Sequence, residues 1–338
     1  MIRHFEFWHP RLFEVPYYVY LAWRCLVRGL PPKYLAKANW ALDHGEIGIG
    51  SKFDTQMAFD QTHFPATAWL SDEPEARRRA ALAFAAEHGY PLVLKPDQGS
   101  VGKGVTRAAD EPSLLAQLER VHGPYMLQTF CPHNIEYGVF FVRTGGEARV
   151  TGLNRKHFPT IVGDGERSIE ALARDHERYT AHWQLFLQDI DTARVPAAGE
   201  SVQLSFVGSH TMGCKFTDDT HVLTSELERA IIGICDSQPG FNFGRLDVKA
   251  PSEAAFLAGE FVVIEVNGVA SLPTHMFDPA NSLARAYRIF LEHGRLLVDA
   301  ASENRDRPMT LYGWRDIGRR VAASQRQLNE AHSRALGS

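Results

Sequence analysis

Short apolar runs alternate along the chain with stretches whose apolar residues recur at helical spacing, and prolines, glycines and acidic caps mark the joins. Helical patterns are predicted over 52–61 and 74–87, the second opened by Asp72-Glu73-Pro74, an acidic start with proline in the first turn. The same start recurs at Asp110-Glu111-Pro112, before a helix to 120. Between these helices, 91–95 reads as a short apolar strand, followed by a glycine-rich loop and a second short strand at 104–107. A buried strand at 125–128 precedes two alternating strands, 137–143 and 149–154, joined around Thr144-Gly145-Gly146, a hairpin signal. Val162-Gly163-Asp164-Gly165 marks a further turn, and Ser168 caps a helix running towards Asp189. A helix is predicted at 225–235. Strands 241–249 and 261–267 then form a hairpin across an exposed connection, and helices at 281–300 and 314–331 close the chain. This mixed order argues for an α+β protein rather than a doubly wound sheet.

The first 50 residues are aromatic and proline-punctuated, and read as a helical N-terminal module. Residues 12–30 are rich in Tyr, Trp, Leu and Val, but Glu14, Pro16, Arg24 and Arg28 interrupt them. A spanning helix needs about 20 mostly apolar residues. The segment therefore reads either as a helix packed on the body or as a peripheral contact with a membrane surface. The C-terminal pattern over 314–331 suits a docking helix or a contact in a homodimer.

With 338 residues the chain has material for more than one compact lobe. A formal net charge of −4 gives no global basic field, which argues against nucleic acid as a partner. Four scattered cysteines form no CxxC pair, and a reduced cytoplasmic protein is the simpler reading. No charged head with an apolar run and cleavage site opens the chain.

Two constellations carry candidate chemistry. The first is Val93-Leu94-Lys95-Pro96-Asp97-Gln98-Gly99-Ser100-Val101-Gly102-Lys103-Gly104. A strand fixes the lysine ammonium, and the glycines after it let backbone N–H groups approach a phosphate. Alone, that loop reads equally well as a hairpin turn. The second constellation is Gly244-Arg245-Leu246-Asp247, with Glu265-Val266-Asn267 on a later strand. Strand alternation puts Arg245 with Asp247, and Glu265 with Asn267, on common faces. If the strands pair, three oxygen ligands converge beside a guanidinium, as Mg²⁺ prefers when phosphates complete its shell. The competing reading is an exposed sheet face with a salt bridge.

In this order and at this separation the two constellations resemble the ATP-grasp superfamily, the fold of D-alanine–D-alanine ligase, glutathione synthetase and cyanophycin synthetase, over roughly 51–298. Ile161-Val162-Gly163-Asp164-Gly165 and Val195-Pro196-Ala197-Ala198-Gly199-Glu200 are similar to the ATP-grasp module of cyanophycin synthetase. The resemblance implies an ATP-grasp fold in which two α+β lobes, 51–127 and 128–300, grip the nucleotide. An insertion lies near 163–225, and a helical extension covers 301–338.

The resemblance also assigns roles. Lys52 and Lys95 would be the phosphate-binding lysines, with Gly99, Ser100, Val101 and Gly102 as the loop. Gln128 to Cys131, including Phe130, would be the hinge for adenine, and Glu136 would meet the ribose. Arg155 or Lys156 would reach the γ-phosphate, and Arg245 the transferring group. Asp247, Glu265 and Asn267 would hold two Mg²⁺ ions, or Mn²⁺ in their place.

The activity so implied is an ATP-dependent ligase joining a small-molecule carboxylate to an amine through an acyl phosphate. An ATP-grasp phosphotransferase and a non-catalytic ATP-binding regulator at a membrane surface are the alternatives. Two departures stand out: 1–50 is too short for the ligases' separate N-terminal α/β domain, and Met276 follows His275 where D-alanine–D-alanine ligases have a serine. A D-Ala-D-Ala product is therefore not expected. His275 reads equally as an acceptor-pocket residue or as a packed strand-end histidine.

Overall fold

The computed structural model describes residues 5–6, 8, 10–47, 50–98, 102, 104–176, 178–179, 190–210, 213–313, 315–320 and 322. Its framework is two antiparallel sheets flanked by helices, an α+β architecture. The four-stranded sheet has the order β1-β4-β2-β3, from β1 (Thr67–Leu70), β2 (Leu92–Pro96), β3 (Thr106–Ala108) and β4 (Tyr125–Thr129). Leu92 and Leu94 point to one face of β2 and are fully buried with Leu70, Leu114 and Leu127. Helices α3 (Pro74–His88) and α4 (Glu111–Leu118) cover that face. Their predicted acidic starts are real caps: Glu73 accepts from the amides of Glu75 and Ala76, and Asp110 forms a reciprocal box with Ser113.

The five-stranded sheet runs β11-β10-β5-β6-β9, from β5 (Ile135–Thr144), β6 (Glu147–His157), β9 (Lys215–Asp218), β10 (Phe243–Ala250) and β11 (Val262–Asn267). One face buries Tyr137, Val139, Phe141, Leu246 and Val248 under α6 (Ser225–Asp236) and α7 (Glu253–Leu257), a short helix inside the β10–β11 connection. The other face changes character along its strands. At one end Phe140, Val142 and Phe243 pack on α8 (Leu283–Glu303), and at the other end charged side chains take their place. That charged end borders the cleft between the sheets.

Residues 10–47 are packed into the core. In α1 (Pro10–Val27), Phe13, Tyr17, Leu21 and Cys25 recur every four residues and are buried against α8. Tyr17 stacks on Phe290 at 3.9 Å between ring centroids. Any Cβ at Gly294 would sit 2.8 Å from the Tyr17 ring, so the glycine sets how closely the helices approach. The opposite face of α1 exposes Leu12, Val15, Val19, Trp23 and Leu26. Among the described residues, no helix is long and apolar enough to cross a membrane.

Two expectations differ from the structure. The helix predicted over 52–61 is α2 (Lys52–Met57) followed by a separate 3-10 turn, Gln61–His63. The helix begun by Ser168 is α5 (Ile169–Asp175); it stops where His176 turns extended, and most of 177–189 lies outside the described residues. Most of the predicted helix 314–331 also lies outside them, although 315–320 are helical. A small pair of strands, β7 (Thr160–Val162) and β8 (Ser201–Gln203), had no counterpart in the sequence reading.

Candidate functional site

A cavity of about 550 Å³ lies between the two sheets. From the four-stranded side it is lined by Lys95 at the end of β2 and by Lys52 in the first turn of α2. Asp97 ties these two lysines together. Its buried carboxylate accepts from the Phe53 amide at 2.9 Å and the Ser51 hydroxyl at 3.0 Å, and its carbonyl accepts from the Lys52 amide. The start of α2 is thereby anchored to the strand that carries Lys95. Burial raises the Asp97 pKa, opposed by those two donors.

From the five-stranded side come Arg245, Asp247 and Lys249 on β10, Glu265 and Asn267 on β11, Glu136 on β5 and Lys156 on β6. The register pairs Asp247 with Glu265 and Arg245 with Asn267, as strand alternation required. Gly138 lies opposite Asp247, and a Cβ there would come within 3.0 Å of the Arg245 side chain. The glycine leaves room for Arg245 to donate to Asp247 at 2.9 Å. Lys156 bridges Glu136 at 2.7 Å and Asp247 at 3.1 Å, while Lys249 lies 3.4 Å from the second Glu136 oxygen.

The two sides meet directly. Lys52 forms an ion pair with Glu265, and Lys95 donates to the Ile264 carbonyl at 3.1 Å. Burial disfavours the Lys52 charge, but Glu265 and Glu46 outweigh it and hold its pKa above the ordinary lysine value. Among the described residues Lys95 has no such carboxylate contact: burial pulls its pKa down to about 8, with Glu265 opposing and Lys52 adding to the fall. The Asp247 pKa is lowered despite burial, because Arg245 and Lys156 stand beside it. Glu265 is lowered likewise, with burial opposed chiefly by Lys52.

Of the residues singled out from sequence, Lys52, Lys95, Gly102, Gln128, Phe130, Glu136, Lys156, Arg245, Asp247, Glu265 and Asn267 all line this cavity. Gly99, Ser100 and Val101 lie outside the described residues. The Gln128 side chain turns away to Gln56 and Thr67, at 2.7 and 2.9 Å. Arg155 is absent from the lining: it pairs with Glu253 at 3.0 Å and lies over the Tyr137 ring, on the opposite sheet face. His275 is buried against Gly152, where a Cβ would come within 2.1 Å of its ring, and burial lowers its pKa to about 4.

Sequence reasoning missed Glu46, Lys249, Gly138 and the loop 206–210. That loop spans the cleft: Phe206 meets Phe130 edge-on at 6.4 Å, and Gly208 lies against Glu136 and Lys156. The Val207 side chain lies so close to Gly102 that a Cβ there would clash at 2.2 Å.

The donor set suits Mg²⁺. Two carboxylates and an amide offer hard oxygens, and Mg²⁺ commonly uses one or two carboxylates with substrate phosphates completing the shell. Among the described residues no group of three His, Cys, Asp or Glu could by itself hold a metal ion.

No protein-family model matches the chain. A D-alanine–D-alanine ligase of Streptomyces griseus subsp. griseus is 36% identical over 86 residues, which is 24% of this chain and only 22% of that ligase. Among solved structures, the D-alanine–D-alanine ligase of Bacillus anthracis aligns with 73% of this chain and 68% of its own, at 14% identity and a TM-score of 0.41. A bifunctional glutathione synthetase from Pasteurella multocida aligns with 72% of this chain at 20% identity and a TM-score of 0.37. The chain spans 35% of that synthetase. The similarities found are therefore to D-alanine–D-alanine ligases and to a glutathione synthetase.

Proposed function

We propose that the protein is a Mg-ATP-dependent ligase of the ATP-grasp type, joining a carboxylate to an amine and releasing ADP and phosphate. The observation that carries the reading is the convergence of Lys52 and Lys95 from one sheet with Asp247, Glu265 and Asn267 from the other. That these cations and oxygen groups line one cavity supports roles for them in binding a triphosphate and its metals. In this reading Asp247, Glu265 and Asn267 would hold Mg²⁺, which would supply neutralisation of the phosphate charge. Lys52, Lys95 and Lys156 bind phosphate oxygens, and Phe130 and Phe206 flank the base. Glu136 offers an acceptor to ribose hydroxyls.

Arg245 orients the substrate carboxylate, whose oxygen bonds to the terminal phosphorus as the bond to ADP breaks. The amine nitrogen then bonds to the acyl carbon. The carbon–oxygen bond to phosphate breaks, phosphate leaves with the electron pair, and the amine proton passes to solvent. Catalysis is positioning and charge stabilisation, which needs no covalent enzyme nucleophile. The described cysteines fit this, since burial raises the pKa of Cys25, Cys131, Cys214 and Cys235. The test is to incubate the protein with Mg-ATP, hydroxylamine and a panel of amino and organic acids. A hydroxamate formed together with ADP is expected. ADP formed without hydroxamate, alongside a stable phosphoester, would replace the ligase with a phosphotransferase.

A further inference from the structure

The cavity extends past Arg245 into a region of different chemistry. Arg245 donates to the Leu272 carbonyl at 3.3 Å, and from Leu272 the lining continues to Thr274 and Phe277. Phe277 stacks on His210 at 5.3 Å and packs on Phe13 of α1 at 5.4 Å, so the N-terminal segment closes this end. The same segment adds Glu6, Trp8 and Glu14 to the lining. Glu6 is already matched, by Arg178 at 3.0 Å and His210 at 3.3 Å. Glu14 is not matched in this way: it is half-buried, its hydrogen bond comes from the Tyr18 hydroxyl at 3.2 Å, and no cation pairs with it among the described residues. The middle of the cleft is rich in cations and suits carboxylate and phosphate. The far end joins a carboxylate that no cation among the described residues pairs with to aromatic and aliphatic walls, which suits an ammonium carried on an apolar body.

We infer that this end of the cleft is the acceptor subsite and that it takes a primary amine bearing a sizeable apolar or aromatic group. Glu14 pairs with the ammonium, and Trp8, Leu272 and Phe277 hold the apolar part. The inference rests on the ligase reading for the direction in which the amine must approach. It also gives residues 1–50 a role: they supply a wall that the two sheets lack.

The test is calorimetric titration of the full chain, first with Mg²⁺ and a non-hydrolysable ATP analogue, then with phenethylamine, ethanolamine and 2-phenylethanol as probes. Phenethylamine is expected to bind at least about tenfold tighter than either other probe. Glu14→Gln should weaken it roughly tenfold to a hundredfold, the range for a charge-assisted contact. Trp8→Ala should bring phenethylamine down towards ethanolamine, and it decides the matter should Glu14→Gln not fold. Equal binding of the phenyl alcohol, or wild-type affinity in the variant that folds, overturns the subsite. Failure of the wild type to bind the nucleotide analogue would instead overturn the ligase reading itself.

Discussion

Asp247→Asn removes one charge from the centre of the buried network and keeps the shape of the side chain. Asp247 is 4% exposed and lies 2.9 Å from Arg245 and 3.1 Å from Lys156. The two cations are not affected equally. Lys156 keeps Glu136 at 2.7 Å, whereas the carboxylate paired with Arg245 is Asp247. Breaking a buried pair by removing one partner costs about 3–5 kcal/mol, because the remaining charge stays buried. The lower figure applies here, since the asparagine carbonyl can still accept one hydrogen bond from Arg245. With about 2.1 cal/mol/K of unfolding entropy per residue over 338 residues, 3 kcal/mol corresponds to a fall of roughly 4 °C in melting temperature. The variant should also lose metal-dependent turnover.

Metal-free ATP should restore more stability to this variant than to the wild type, because the triphosphate supplies the missing negative charge. Thermal melts of both proteins with and without ATP and EDTA measure all three effects. A variant as stable as the wild type, or one that ATP stabilises no more than the wild type, would refute the charge accounting.

Two further outcomes follow from the site. The folded-state pKa of Lys95 lies near 8, below its ordinary value of 10.5, so between these values the unfolded chain binds more protons. Lys95 thus makes stability rise with pH across about 8 to 10.5, while nucleotide affinity falls above pH 8 as the amine loses its charge. ADP titrations from pH 6.5 to 9.5 should show that fall in the wild type and not in Lys95→Met. For the neighbouring pair on β6, Lys156→Ala should lower kcat by about 10²–10³, in the range of losing one transition-state donor. Arg155→Ala should leave kcat within about twofold and cost under about 1 kcal/mol, the worth of an exposed ion pair; equal losses in the two variants would reverse the assignment of faces.

The contrast between those neighbours shows where sequence reading runs out. Strict alternation from Val150, which faces the core under α6, would put Lys156 on that same face and Arg155 in the cleft. The ladder between β5 and β6 slips at Phe140/Phe141, where Gly152 pairs with Phe140 and Val150 with Phe141. Thr151 is the extra residue, and beyond it the faces exchange. The sign of that bulge in 149–156 is Gly152, a lone glycine inside the strand, which does not by itself say which residue is extra. Arg245, Asp247, Glu265 and Asn267 were legible because their two strands are apolar, so that a charge within them stands out, and because the bulge in their ladder, at Ile264, falls just before 265–267 and leaves the pairing of these four residues intact. Glu14 and Glu46 were not, since each sits in an irregular or aromatic stretch and reaches the cleft only through packing at long range. The anchoring of Lys52 by Asp97 was equally hidden, because 45 residues separate the lysine from its support.

The ion pair between Lys52 and Glu265 has a further consequence. In the proposed reading Lys52 and Glu265, the groups that phosphate and metal would occupy, satisfy each other and tie the two sides of the cleft together. A divalent ion arriving alone must displace a lysine from Glu265, and a polyphosphate arriving alone must displace a carboxylate from Lys52. Arriving together, each takes the partner the other has released. Metal and nucleotide should therefore promote each other's binding by the same factor, whichever is added first.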